Sequence, residues 1–159
     1  MPTLATFSPQ AALEVPETRA LLLQGHLAIH DAVRRITLHG SRGLGGHPRP
    51  DSDIDLALIV DLPPPGDPAA AGALLRAVLD TTLAAWTGRV ELDLAAVFDR
   101  RRCGLRCLAG GGHDFADCEQ TRDCLGVFKI QRGFNGFVDA RDVDCRKMQP
   151  HLVIWERPG

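Results

Sequence analysis

No stretch of this chain approaches the roughly 18–20 consecutive apolar residues of a membrane-spanning helix. Its first residues, MPTLATFSPQ, lack the basic head and apolar run of a secretory leader. The expectation is a cytoplasmic protein with no membrane partner. Net positive charge is also missing. A formal charge of −2 over 159 residues gives no global field to hold a nucleic-acid backbone, and leaves only a local basic run at Arg100, Arg101 and Arg102. Cysteine is absent until position 103, and the five cysteines (Cys103, Cys107, Cys118, Cys124 and Cys145) all fall in the last third. The odd number argues against a disulfide framework. The lack of two short Cys pairs argues against structural zinc, even with His113 nearby. Free thiols are expected. No internal repeat is visible.

What is present is ordinary globular material, 45% hydrophobic and 24% charged. After an irregular lead-in over residues 1–16, with one turn after Ser8, the spacing of Leu22, Ile29, Val33 and Ile36 predicts a helix from Glu17 to Arg35. On it His26 and His30 form an i, i+4 pair that reads as an exposed face. A short strand over 36–39 runs into Gly40-Ser41 and a Gly/Pro-rich loop, 42–52, with a brief helical turn after Ser41. Residues Asp53–Val60 (DIDLALIV) predict a strand buried on both faces beyond its opening acids. Asp67-Pro68 predicts an N-cap and first helical position, with the helix running to Trp86. Residues 89–98 predict a third strand. In the tail, 115–125 read as helical, 127–131 and 151–156 as short strands, the GGGH run at 110–113 as a loop, and Trp155 as core packing. The expected fold class is α/β, a mixed sheet flanked by helices. Residues 1–98 form its core, and 99–159 form an extension of the same domain or a small subdomain facing an acceptor or partner.

The chemistry resides in Gly40-Ser41, a gap of eleven residues, and Asp53-Ile54-Asp55. Residues i and i+2 of a strand share a face, so Asp53 and Asp55 project together about 6.5–7 Å apart at Cα and can converge on metal. Mg²⁺ takes oxygen ligands and neutralises phosphate charge during phosphoryl transfer. Gly40 permits close backbone approach. The Ser41 hydroxyl and neighbouring N–H groups suit phosphate oxygens, with Arg42 beside them as a nucleotide-binding candidate. Arg42 and Arg49 otherwise read as solvated loop charges. Antiparallel pairing of 36–39 with 53–60 would set Ser41 beside both aspartates. A third acid is needed from another strand. Charges in the apolar run Val90–Leu94 are costly unless paired or metal-bound. Asp93 is favoured as metal ligand and proton acceptor, with Glu91 the competitor.

The segment HGSRGLGGHPRPDSDIDLALIV resembles the signature of minimal nucleotidyltransferases in the DNA polymerase beta superfamily. The match extends plausibly from about residue 18 to 97. Arg42-Gly43-Leu44-Gly45 stands where relatives often read Arg-Ala-Arg-Gly. The resemblance implies that fold, Mg²⁺ dependence, and transfer of a nucleoside monophosphate from a nucleoside triphosphate, with ATP the expected donor. Catalytic and metal roles fall on Asp53, Asp55 and Asp93, and triphosphate contacts on Gly40, Ser41 and Arg42. The acceptor, whether protein, RNA or small molecule, is an unidentified hydroxyl. The alternative reading is a non-catalytic or antitoxin-like module that pairs with a toxin-like protein partner. An aminoglycoside-type resistance enzyme is the further rival, with Asp114, Asp117 and Glu119 as its acidic cluster.

Overall fold

A computed structural model describes residues 3–4, 6–60, 67–99, 125–131, 134–138 and 152–158. Several expectations fall outside these residues: the five cysteines, the basic run 100–102, the GGGH loop, the acidic cluster at 114–119 and all but the last residue of the 115–125 helix.

The chain opens with β1 (Thr3–Leu4), α1 (Pro9–Glu14), α2 (Pro16–Gln24) and β2 (Ala28–Ile29). It continues through β3 (Val33–His39), β4 (Ile54–Val60), α3 (Pro68–Ala85) and β5 (Leu92–Asp99), and ends with β6 (Leu125–Gln131), β7 (Phe134–Val138) and β8 (Leu152–Glu156). One mixed sheet runs in the order β7-β6-β5-β4-β3-β8, and β1 pairs with β2 apart from it. The parallel pair, β4 and β5, is joined by the α3 crossover, the connection that parallel neighbours require. All other neighbours are antiparallel. The α/β class and the mixed sheet flanked by helices are therefore as the sequence predicts. The strands of the last sixty residues extend both edges: β6 lies against β5, and β8 against β3.

The core forms where one sheet face meets the helices. Ile36 and Leu38 of β3, Ile54, Leu56 and Leu58 of β4, and Leu94 and Phe98 of β5 pack with Leu75, Val78 and Leu79 of α3 and Leu22 of α2. The other face of β4 is buried too, through Ala57 and Ile59, as the unbroken apolar run predicts. Asp67 caps α3 by accepting from the Ala69 N–H at 3.1 Å. Ser8 caps α1, accepting from the Ala11 N–H at 3.4 Å. Trp155 is 5% exposed, in the core as expected. Arg157 stacks over its ring at 5.1 Å and donates to the carbonyls of Val33 and His30, fastening β8 to the start of β3. No described helix is long and apolar enough to cross a membrane.

The predicted helix over 17–35 is the main correction. It stops at Gln24, because Gly25 sits under the Trp86 ring, where any Cβ would overlap it, and His26 turns the chain with φ 59°. From Val33 the chain is already β3, seven residues rather than the four predicted. Ile29, Val33 and Ile36 are all buried, so the spacing found core positions but assigned them the wrong element. β-branched Val, Ile and Thr favour the strand once the helix is broken. His26 and His30 therefore share no helix face, and His30 Nδ1 accepts from the Ala32 N–H at 3.0 Å.

Candidate functional site

Two registers build the site. In the antiparallel pair, His39 lies opposite Asp55 and Leu38 opposite Leu56, so the chain leaves β3 at Gly40-Ser41 beside the point where it enters β4. In the parallel pair, Asp55 lies beside Asp93. Asp53 precedes Asp55 by two residues. The side chains of Asp53, Asp55 and Asp93 gather at this rim, each offering a carboxylate oxygen within 4.8 Å of the others. Ile54 and Leu92, between and beside them, point to the core. Glu91 stays outside this group and instead binds through its backbone, its carbonyl accepting from the Ile54 N–H at 3.0 Å.

Three oxygen donors without nitrogen or sulfur form a hard ligand set, suited to a divalent cation such as magnesium, calcium or manganese rather than zinc. The electrostatics agree with that chemistry. The Asp53 carboxyl titrates above its ordinary value, chiefly because burial penalises its charge, then because Asp93 and Glu91 add repulsion, with Arg42 a weaker opposing influence. An added cation would relieve the repulsion.

Gly40 is required by shape as well as by conformation. Its φ is +78°, and a Cβ there would overlap Oδ2 of Asp55. The carboxylate therefore rests directly on the Gly-Ser turn. Beyond Ser41 the chain makes consecutive tight turns, with Gly43 N–H donating to Gly40 C=O and Gly46 N–H to Gly43 C=O. They stand in place of the expected helical turn.

Arg42 is neither solvated nor turned toward the cleft. Its side chain is 1% exposed. Nε donates to the Ser52 carbonyl at 2.7 Å, and one Nη donates to the carbonyls of Arg49 and Pro50 at 3.0 and 3.2 Å. The other Nη lies 3.6 Å from Glu17. The Arg42 carbonyl accepts from the buried Thr18 hydroxyl at 2.7 Å, which pins the turn to α2. Arg42 thus joins the residue after Gly40-Ser41 to the residue before Asp53, and any part it plays toward a nucleotide runs through its backbone N–H or through this clip.

An open cleft of about 510 Å³ lies along the rim, lined by Ser41, Asp53, Arg49, Asp51, Ser52, Arg89, Val90 and Glu91. The sequence reading missed Arg89, Asp51 and Ser52. Arg89 carried a usable signal, since it sits two residues before Glu91 on the segment that supplies the third acid. The loop contacts of Ser52 carried none.

No known protein-family model matches this chain, and no curated protein sequence is significantly similar to it.

Proposed function

We propose that the chain is a nucleotidyltransferase with a polymerase-beta-type core, and that it moves a nucleoside monophosphate from a nucleoside triphosphate, ATP first among candidates, to a hydroxyl acceptor. One observation carries the reading: three carboxylates from two neighbouring strands converge within 4.8 Å beside a glycine-serine turn that rests on one of them. An acidic cluster alone would be weak support, and a Gly-Ser turn alone weaker still. Their union on β3, β4 and β5, in the order the motif requires, favours this chemistry over a solvated strand mouth.

Asp53, Asp55 and Asp93 would hold Mg²⁺, which when bound supplies charge neutralisation for the phosphates. The Ser41 hydroxyl and the N–H groups of the turn bind the triphosphate and orient it. The acceptor oxygen forms a bond to the α-phosphorus, the bond from that phosphorus to the bridging oxygen breaks, and pyrophosphate departs with the electron pair. The hydroxyl proton passes to the Asp93 carboxylate and on to water. Partial burial helps each of these contacts by lowering the local dielectric.

The test is transfer of label from α-labelled ATP to protein, RNA and small alcohols in the presence of Mg²⁺. The wild type is expected to label one of these classes, and Asp53→Ala/Asp55→Ala to lose at least about 100-fold of the signal. Equal labelling by the two proteins removes the catalytic assignment.

A further inference from the structure

Strand order fixes which side of the acidic triad faces each substrate. Strands β3, β4 and β5 are consecutive neighbours. Given their directions, the exit of β3, the entrance of β4 and the entrance of β5 lie on one rim. Across that rim come Ser41, then the aspartates, then the segment Arg89–Glu91 that leads into β5. The separation from first to last is about two strand spacings, roughly 10 Å. In-line displacement puts the incoming oxygen and the departing pyrophosphate on opposite sides of the α-phosphorus. With the tail held at the Ser41 turn, the acceptor must approach from the β5 side.

On that side Arg89, in the lead into β5, faces the cleft, and Arg49, from the loop before β4, lines the same cleft. Both are exposed, and among the described residues neither has a carboxylate within ion-pair distance. They are held on one scaffold: Arg89 Nη1 donates to the Pro50 carbonyl at 2.9 Å, and Pro50 follows Arg49 directly. Buried Arg42 fixes the carbonyls of both loop residues. Two guanidiniums on one scaffold, with no acid paired to either among the described residues, suit the charge and the oxygen-rich edge of a phosphate group. Asp51 and Glu91 also line the cleft, so a diffuse anion is repelled, and only a group that reaches both forks offsets that repulsion.

We infer that Arg49 and Arg89 form an acceptor subsite for a phosphate group, so that the hydroxyl acceptor of this enzyme itself carries a phosphate. The inference rests on the nucleotidyltransferase reading for its acceptor half, though the anion subsite itself does not. The acceptor becomes a phosphodiester to the nucleoside monophosphate through its hydroxyl oxygen, pyrophosphate leaves, and its own phosphate remains untouched as the handle.

The full chain is titrated with inorganic phosphate by calorimetry, with Mg²⁺ and α,β-methylene-ATP present, as wild type, Arg49→Gln and Arg49→Gln/Arg89→Gln. The Arg49→Gln protein keeps the experiment interpretable should the double variant unfold, because among the described residues the Arg49 guanidinium makes no hydrogen bond or ion pair. Phosphate binding is expected to weaken at least about 5-fold in the single variant and about 30-fold in the double, while affinity for the nucleotide analogue changes less than about 3-fold. Absent phosphate binding, or binding undiminished in both variants, overturns the subsite. An equal fall in analogue affinity also overturns it, by placing the arginines on the nucleotide tail. If the wild type binds phosphate through the arginines but binds no analogue, the nucleotidyltransferase reading fails and the anion site stands. The second arm offers the wild type α-labelled ATP with a short RNA bearing a 3′-hydroxyl, glycerol 3-phosphate, glycerol and a tyrosine peptide. Label on the RNA identifies a phosphodiester handle, and label on glycerol 3-phosphate a phosphomonoester. Label on glycerol or the peptide as efficient as on the phosphorylated acceptors, or on glycerol or the peptide alone, refutes the inference, whereas no label on any acceptor counts against the nucleotidyltransferase reading and leaves the phosphate titration to decide the anion site.

Discussion

Replacing Arg42 by methionine keeps the aliphatic stem and removes the guanidinium, which isolates the polar clip from the packing. Nε to the Ser52 carbonyl is a short charge-assisted bond of 2.7 Å, and one Nη bridges the carbonyls of Arg49 and Pro50. A hydrogen bond from a charged donor contributes about 1.5–3 kcal/mol. The Ser52 bond belongs near 2 kcal/mol. The bridging pair belongs nearer 1.5, because Arg49 and Pro50 are exposed and water can replace the lost donor. The contact to Glu17 adds little, since it is 3.6 Å long and its carboxylate is 71% exposed. The sum is about 3–4 kcal/mol, against the roughly 5–15 kcal/mol that keeps a domain folded. Denaturant melts should give this difference at unchanged m-value, and thermal melts a drop of roughly 6–16 °C. Limited proteolysis should cut within residues 43–52 before any other described loop. Arg42→Lys should recover less than half of the loss, because an ammonium cannot bridge the carbonyls of Ser52, Arg49 and Pro50 together. A loss under about 1 kcal/mol, or a loop no more susceptible than in the wild type, would refute the clip.

Asp53→Asn should raise the melting temperature of the metal-free protein at neutral pH. The folded pKa of this carboxyl is raised, so its contribution to stability is full below the unfolded value of about 3.9 and is lost as pH rises through the folded value. The gain should vanish near pH 3, and a gain that persists there contradicts the assignment. Asp93→Asn should cut label transfer by about 100-fold or more, while Glu91→Gln should cut it by less than about 5-fold, because only Asp93 reaches the other two aspartates; the reverse order would make Glu91 the third acid. Gly40→Ala should cost about 2–5 kcal/mol in a denaturant melt, combining a left-handed backbone with displacement of Asp55. A neutral result would mean that the turn and the carboxylate are less tightly joined than their overlap implies.

The parts of the fold that were legible in sequence are those set by local chemistry. Asp67-Pro68 announced α3 because capping is a contact between near neighbours, and DIDLALIV announced β4 because a strand buried on both faces has no polar alternation. The acids of the site were legible for the same reason: a charge amid Val, Leu and Ile needs a partner. That ground applies to Glu91 and Asp93 alike and does not separate them; the parallel register that sets Asp93 beside Asp55 does. The illegible parts depend on contacts distant in sequence. Gly25 ends α2 because a tryptophan sixty-one residues later covers it, and nothing in the local spacing of Leu22, Ile29 and Val33 encodes that ring. Arg42 read as a solvated loop charge because its buried state is created by the loop folding back over it.

That fold-back bears on how an acidic cluster persists at all. Three carboxylates within 4.8 Å repel one another, and a loop of glycines and prolines would ordinarily relax to separate them. Here the relaxation is opposed at three points: Gly40 is locked under Asp55, the Ile54 N–H is bonded to the Glu91 carbonyl, and Arg42 holds the carbonyl of Ser52, the residue before Asp53. A chain with only solvated acids at a strand mouth has no physical need for such restraint. The restraint maintains a mutually repulsive geometry that a bound cation would relieve, and preorganising a binding site costs stability in this way. Loss of Arg42 should therefore weaken divalent-metal binding more than its distance from the carboxylates suggests, and saturating Mg²⁺ should recover part of the stability that Arg42→Met removes. Metal that leaves the melting temperature of either protein unmoved would detach the clip from the site.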